Sequence, residues 1–430
     1  MTSAETGTAP ESAAVSTAKS DFAIDTEQQS LRELVHAYLG RFRTGGDLGL
    51  APAIAALLIL TVVFGALRPE SFLTRFNFGN FFTQAAPICV LAMGVTFVLL
   101  LGEIDLSAGY TAGVCAAVLA SRLDAGDSLV VAVALSFLAA VVMGLGIGWL
   151  VAKVGIPSFV VTLSTFLSFQ GVLLLITKEG GTIGVDNEVI VALANKNLAV
   201  PLGWTLWALV TFGFAGQALN KVRARAAQGL TTEPVAAIAA KTVAIGVVWG
   251  AMTWLLNEPR GNNIRGVPIA VPVVLALVVV LTFILNRTRW GRHLYAAGGN
   301  PEAARRAGIN VTRLRISAFV TTAALACIAG FILASRLNSV DPQTGGNDTL
   351  LIAVGAAVIG GTSLFGGRGR VINAVFGGMV FALINNGLPL LGELGSIDFS
   401  AAGPKFIVNG GVLLLFASID ALSRKRSAAA

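Results

Sequence analysis

The chain predicts an all-α, polytopic membrane protein of about twelve spans, and three observations predict it. Of its 430 residues, 55% are hydrophobic and only 12% are charged, about half the ~25% charged content of soluble domains. Mean hydropathy is +0.78. The apolar residues also fall in runs that approach the ~20 residues a bilayer-crossing helix needs. These features exclude a soluble enzyme, a disordered chain and a disulfide-knit secreted scaffold.

The runs lie near 50–67, 80–101, 108–121, 128–151, 158–177, 202–219, 236–256, 268–286, 312–335, 349–365, 371–392 and 404–420. Those at 108–121 and 349–365 are short, as expected of tilted, broken or re-entrant segments, which transporters tolerate where backbone lines a cavity. Residues 1–46 precede the first run. Their first 30 residues carry five acids and one Lys and lack the basic and apolar regions of a signal peptide. They read as a partly disordered tail. A transmembrane domain over 47–421 follows, then a short tail at 422–430.

Twelve crossings put both termini on one side. With loops assigned alternately, 19 Lys/Arg fall on the side of the termini, and nine, against eleven acids, on the other. That bias makes the first side cytoplasmic, so a multi-pass protein of the inner or plasma membrane, both ends inside, is expected. The net charge of +7 then needs no nucleic acid, and no basic run here alternates with aromatics. Lipid is the expected surround.

Soluble chemistry is absent from the motifs. Cys89, Cys115 and Cys327 lie in separate apolar stretches and read as packing residues. The histidines are His36 and His293, too few for a zinc site. None of the eight lysines follows a Gly, so no phosphate-cradling loop is present. No catalytic residue, metal or bound cofactor is expected.

One loop differs from the rest: Asn286 to Thr312, reading NRTRWGRHLYAAGGNPEAARRAGINVT. Asn300 suits an N-cap, Pro301 the first helical position and Glu302 the positive end of the dipole. Arg305 and Arg306 would sit in the last turn, and Gly308 would take the left-handed position that ends the helix. Gly298 and Gly299 are expected to be a flexible lead-in. A helix of two turns needs something to pack on.

Glu302-Ala303-Ala304, with Gly308 four residues on, resembles the EAA loop of ABC-importer permeases. The wider block GRHLYAAGGNPEAARRAGINV (291–311) is similar to the matching loop of the ribose/xylose/arabinose permease family. MGVTFVLLLGEIDLSAG (93–109), GIPSFVVTLSTF (155–166), AAVIGGTSLFGGRGR (356–370) and INNGLPLLG (384–392) agree in order and spacing. The resemblance covers essentially all of 50–420. It implies a ten-span core with a coupling helix that docks on a separate ATPase, where ATP and Mg are held. It also implies an extracytoplasmic sugar-binding protein and a second permease copy. The chain departs by an extra apolar pair around 202–256, joined by NKVRARAAQGLTTEP (220–234), as in the xylose-type branch.

Within the membrane, Glu103 and Asp105 stand closest to span ends. Carboxylates so spaced repel and desolvate badly on a continuous helix, so a chain break near Gly102 and Gly109 is expected. They have two readings: contact with substrate or gate, or capping of the helix entered at 108 by Asp105 or Ser107. A weak internal repeat aligns Gly102, Leu106 and Gly109 with Gly360, Leu364 and Gly367. It also aligns Pro157/Phe159 with Pro404/Phe406. Gln84, Thr165, Asn385 and Asn386 are then pathway candidates, with interhelical hydrogen bonding as the alternative. The pairs Gly109/Gly113, Gly144/Gly148 and Gly246/Gly250 read as close helix approaches. A proton-coupled transporter, the rival function, would need mid-span ionisable groups, and apart from Lys241 the apolar cores offer none.

Overall fold

All twelve apolar runs form helices in the computed structural model, which describes residues 49–429 apart from 179, 231, 233, 262–263 and 395–396. The expected N-terminal tail therefore lies outside the described residues. Among the described residues, eight helices are long and apolar enough to cross a membrane. In chain order the elements are α1 (Ala51–Leu67), α2 (Arg75–Leu100), α3 (Ala108–Asp124), α4 (Leu129–Trp149) and α5 (Ser158–Ile176). Next come a short helix α6 (Glu188–Asn195), then α7 (Val200–Ala226), α8 (Val235–Asn257) and α9 (Ala270–Arg287). The rest are α10 (Arg289–Gly299), α11 (Pro301–Arg306), α12 (Val311–Leu337), α13 (Asn347–Ile359), α14 (Val371–Leu391) and α15 (Ala402–Ala429). Helix α15 runs on through the segment expected to be a tail.

The core is built on α2 and α12. Helix α12 packs along α2, α3 and α4, while α14 packs along α2 and α1. Small residues make this possible. Gly144 and Gly148 of α4 face Val320 and Ile316 of α12, where an added Cβ would stand 2.7 and 2.8 Å from their Cα atoms. The helices approach backbone to backbone there, so dispersion contacts replace the hydrophobic drive that lipid does not supply. By contrast α5, α7 and α8 are largely exposed. The extra pair α7/α8 is held together by Trp207, which donates to the Gly246 carbonyl at 2.8 Å, and meets α2 at Arg75, 3.6 Å from Glu258.

The two ends of the bundle are held by different sets of contacts. At one end, Val185 N donates to Asn338 O, residues 183–184 pair with 339–340, and Arg68 donates to Leu391 O at 2.7 Å. At the other, Leu100, Gly298 and Gly367 meet. The 108–121 run forms the 17-residue α3, and the 349–365 run is an incomplete span. Helix α13 is only 13 residues long, and the loop before it lies against the first turns of α3: side chains at Gly113 and Gly345 would strike the Thr344 and Gly109 carbonyls. It therefore starts inside the bundle, as a re-entrant half-helix does. The Gly102 and Gly360–Gly367 loops abut, since Gly367 N donates to Leu100 O at 2.9 Å. Pro157 and Pro404, however, open helices from opposite ends, so that pair does not share the repeat.

Candidate coupling and gating site

The expected short helix is α11, and its cap is Asn300, whose side chain accepts from Glu302 N and Ala303 N, both at 3.0 Å. Gly308 is left-handed at φ +80°. Ala304 is buried against the bundle, while Glu302, Ala303, Arg305 and Arg306 face outward. Glu302 pairs loosely with Arg305 and Arg306 at 3.5 and 3.4 Å. Such exposed pairs contribute little stability, about 0.2–1 kcal/mol.

The lead-in is not flexible. Gly298 and Gly299 close α10, an eleven-residue helix capped by Thr288, whose hydroxyl accepts from Gly291 N at 3.2 Å. Leu294, Ala297 and Gly298 form its buried face. A side chain at Gly298 would strike the Leu100 carbonyl, so the glycine serves close approach. Trp290 donates to Ser317 Oγ of α12 at 2.8 Å and packs on Phe97 with ring centroids 5.6 Å apart. Tyr295 donates to Gly369 O at 2.8 Å. Thus α10 braces α11 against α2, α12 and the 360–370 loop.

The break between α2 and α3 occupies 101–107. Gly102 turns it at φ +73°. Ile104 is bolted to α5, its N–H donating to Ser158 Oγ and its carbonyl accepting from Thr162, both at 3.2 Å. Glu103 Oε1 lies 3.0 Å from Arg315 Nε on α12, an ion pair whose Nε–H is not aligned as a hydrogen bond. Asp105, 2% exposed, accepts from Ser107 N at 2.8 Å and Ser107 Oγ at 2.6 Å. Asp105, not Ser107, supplies the side-chain acceptor where the chain enters α3.

The remaining candidates scatter. Asn386 exchanges two amide hydrogen bonds with Asn77 of α2, each 2.9 Å, and Asn77 also donates to Phe72 O. Asn385 accepts from Asn409 at 3.3 Å. Thr165 bonds back to Val161 O at 3.0 Å within its own helix, and Gln84 is half-buried on α2. Helix α10, Arg315 as the partner of Glu103, and the α13 start beside Tyr110 escaped the sequence reading. Trp290, Leu294 and Ala297, at helical spacing after Thr288, were the signal for α10.

A family model described as "Branched-chain amino acid transport system / permease component" matches residues 77–417. That span holds both α10–α11 and the break. The chain belongs to this permease family. Among its relatives is the xylose transport system permease protein of Escherichia coli strain K12, 34% identical over 375 residues, 87% of this chain and 92% of that one. The ribose import permease protein of Bacillus subtilis strain 168 is 32% identical over 86% of this chain and 92% of its own length. The D-allose transport system permease protein of E. coli K12 is 28% identical over 86% and 90%. No solved structure matches. As a member of this family the chain is a multi-pass transporter permease, not an enzyme.

Proposed function

We propose that this permease is the transmembrane subunit of an ATP-driven ABC importer for a monosaccharide, D-xylose or a related pentose, working by alternating access. One observation carries the reading: a capped, outward-facing α11 rides on α10, whose Gly298 abuts the end of α2. A separate ATPase, holding ATP and Mg, grips α11. Its closure pushes α10 against Leu100 and, through Arg315 and Glu103, against the break that opens α3. The 19 basic residues on this side support a cytoplasmic arm with both termini inside the inner or plasma membrane.

An extracytoplasmic sugar-binding protein delivers substrate at the opposite end, and a second permease copy or a paralogue completes the pore. The sugar is supported by the names of the xylose, ribose and allose relatives. Lipid covers the apolar outer faces of α5, α7 and α8. Glu103, Asp105 and Ser107 work as gate elements. Gln84, Thr165 and Asn385 are path-lining positions for a neutral sugar, whereas the amide of Asn386 is already engaged with Asn77.

The test is uptake of radiolabelled xylose into vesicles holding the permease, its ATPase and the binding protein. Uptake should require internal ATP and persist after the proton gradient is collapsed. Uptake that follows the gradient and ignores ATP would overturn the reading.

A further inference from the structure

The extra pair α7/α8 hangs from the bundle by a two-stranded strap. The chain entering α7 and the chain leaving α8 run side by side: Leu198 N donates to Val267 O at 2.8 Å, Ile269 N to Lys196 O at 3.1 Å, and Asn197 pairs antiparallel with Pro268. Beyond the strap the pair meets α2 through Arg75 and Glu258, 3.6 Å apart, whose side chains are 47% and 35% exposed. An ion pair so open to solvent contributes little. Within the pair the helices are tight. A Cβ at Gly250 would stand 3.0 Å from Trp207, one at Gly246 3.1 Å from Thr211, and one at Gly203 3.2 Å from Asn257. The pair is a stiff unit on a narrow attachment.

The face of α8 turned to the bundle is polar and unsatisfied. Trp249, Thr253 and Asn257 recur every four residues, on one side of the helix. Met252 and Leu256 beside them pack in the core cluster that holds α2. Arg260 follows, its guanidinium lying where a side chain at Gly79 of α2 would strike it. Among the described residues, nine buried side-chain nitrogen and oxygen atoms lack a hydrogen-bond partner. Five sit in this row: Trp249 Nε1, Thr253 Oγ1, both amide atoms of Asn257, and Arg260 Nε. Thr211 Oγ1, across on α7, is a sixth. Thr253 and Arg260 are 1% and 5% exposed. In the core, by contrast, Thr96 donates to Ala92 O and Thr322 to Gly94 O, both at 2.8 Å. Buried donors and acceptors left unpaired raise the free energy of the closed seam, and separation removes that cost because each group then meets water.

We propose that α7/α8 is a hinged flap: it pivots on the 196–199/266–269 strap, and its seam with α2 opens to admit water onto Trp249, Thr253, Asn257 and Arg260. Lifting the flap changes the packing of the helix that leads into the 101–107 break. Only this last consequence rests on the importer reading; the hinge does not.

The test uses the full-length chain in nanodiscs, read by thermal unfolding and by hydroxyl-radical footprinting of side chains. Thr253→Val keeps the shape and removes an unpaired hydroxyl, so the melting temperature should rise by roughly 1–3 °C. Thr322→Val, which breaks a bond that is made, should lower it. Because Thr253→Val favours the closed seam, oxidation of Trp249 should fall roughly fivefold, while that of Trp149, 53% exposed on α4, stays constant. Asn257→Leu should act in the same directions unless it crowds Gly203, and Thr253→Val then decides. A melting temperature unchanged or lower in Thr253→Val overturns the proposal, because the hydroxyl would be bonded at rest. A higher one with Trp249 oxidation unchanged overturns it too, because the seam would never open. Neither readout involves sugar or ATP, so failure here leaves the importer reading to its own test.

Discussion

Two charged segments lie at the same end of this bundle and are built in opposite ways. In α11, Glu302, Arg305 and Arg306 face outward and pair with one another at 3.4–3.5 Å on an open surface. In the 101–107 break, Glu103 and Asp105 are buried, each tied to a group that fixes the chain path. Exposed charges leave their hydrogen-bonding capacity for a partner, while buried ones have spent it on internal geometry. The contrast teaches where mutations should uncouple and where they should unfold.

The largest effect is expected at Gly298. Gly298→Val drives a branched side chain into the Leu100 carbonyl, so the permease should be recovered in low yield and with no measurable uptake. A variant with normal melting behaviour would show that α10 is free to lift. Next comes the ion pair. Glu103→Ala or Arg315→Ala strands a partly buried charge, and we expect uptake to fall at least roughly tenfold, as an unpaired charge costing more than ~1.4 kcal/mol implies. The exchanged pair Glu103→Arg with Arg315→Glu should recover part of it. No recovery would make the pair incidental.

At the outward face, Glu302→Arg with Ala304→Arg should abolish co-purification of the ATPase while membrane insertion stays intact. Ala304 is the buried member, so Glu302→Arg alone sharpens the comparison: its melting temperature should not move. The smallest effect is expected at Asp105→Asn, which weakens an acceptor for the α3 entry by about 1 kcal/mol. Thermal unfolding of the variant in detergent checks this, and a change in sugar affinity without loss of stability would assign Asp105 to the path instead.

Much of this was legible in the chain because hydropathy alone marks a span. The twelve runs became helices, and Asn300, Pro301 and Gly308 announced α11 through capping rules that act locally. The Gly144/Gly148 pair announced a close helix approach, though not that α12 would be the partner. What stayed hidden depends on partners distant in sequence. Nothing local says that Glu103 meets Arg315, that Asn386 meets Asn77 or that Gly298 rests on Leu100. The glycines of 298–299 look like looseness until the opposing backbone is in place.

The amide exchange between Asn77 and Asn386, with Arg68 bound to the carbonyl of Leu391 nearby, clamps α2 to α14 at the end remote from the arm. At the arm's end the same two helices finish or begin at glycine joints that touch through Leu100 and Gly367. A pair of rods riveted at one tip and jointed at the other behaves like tweezers: a push at the inner tips becomes an opening angle, and the rivet sets its pivot.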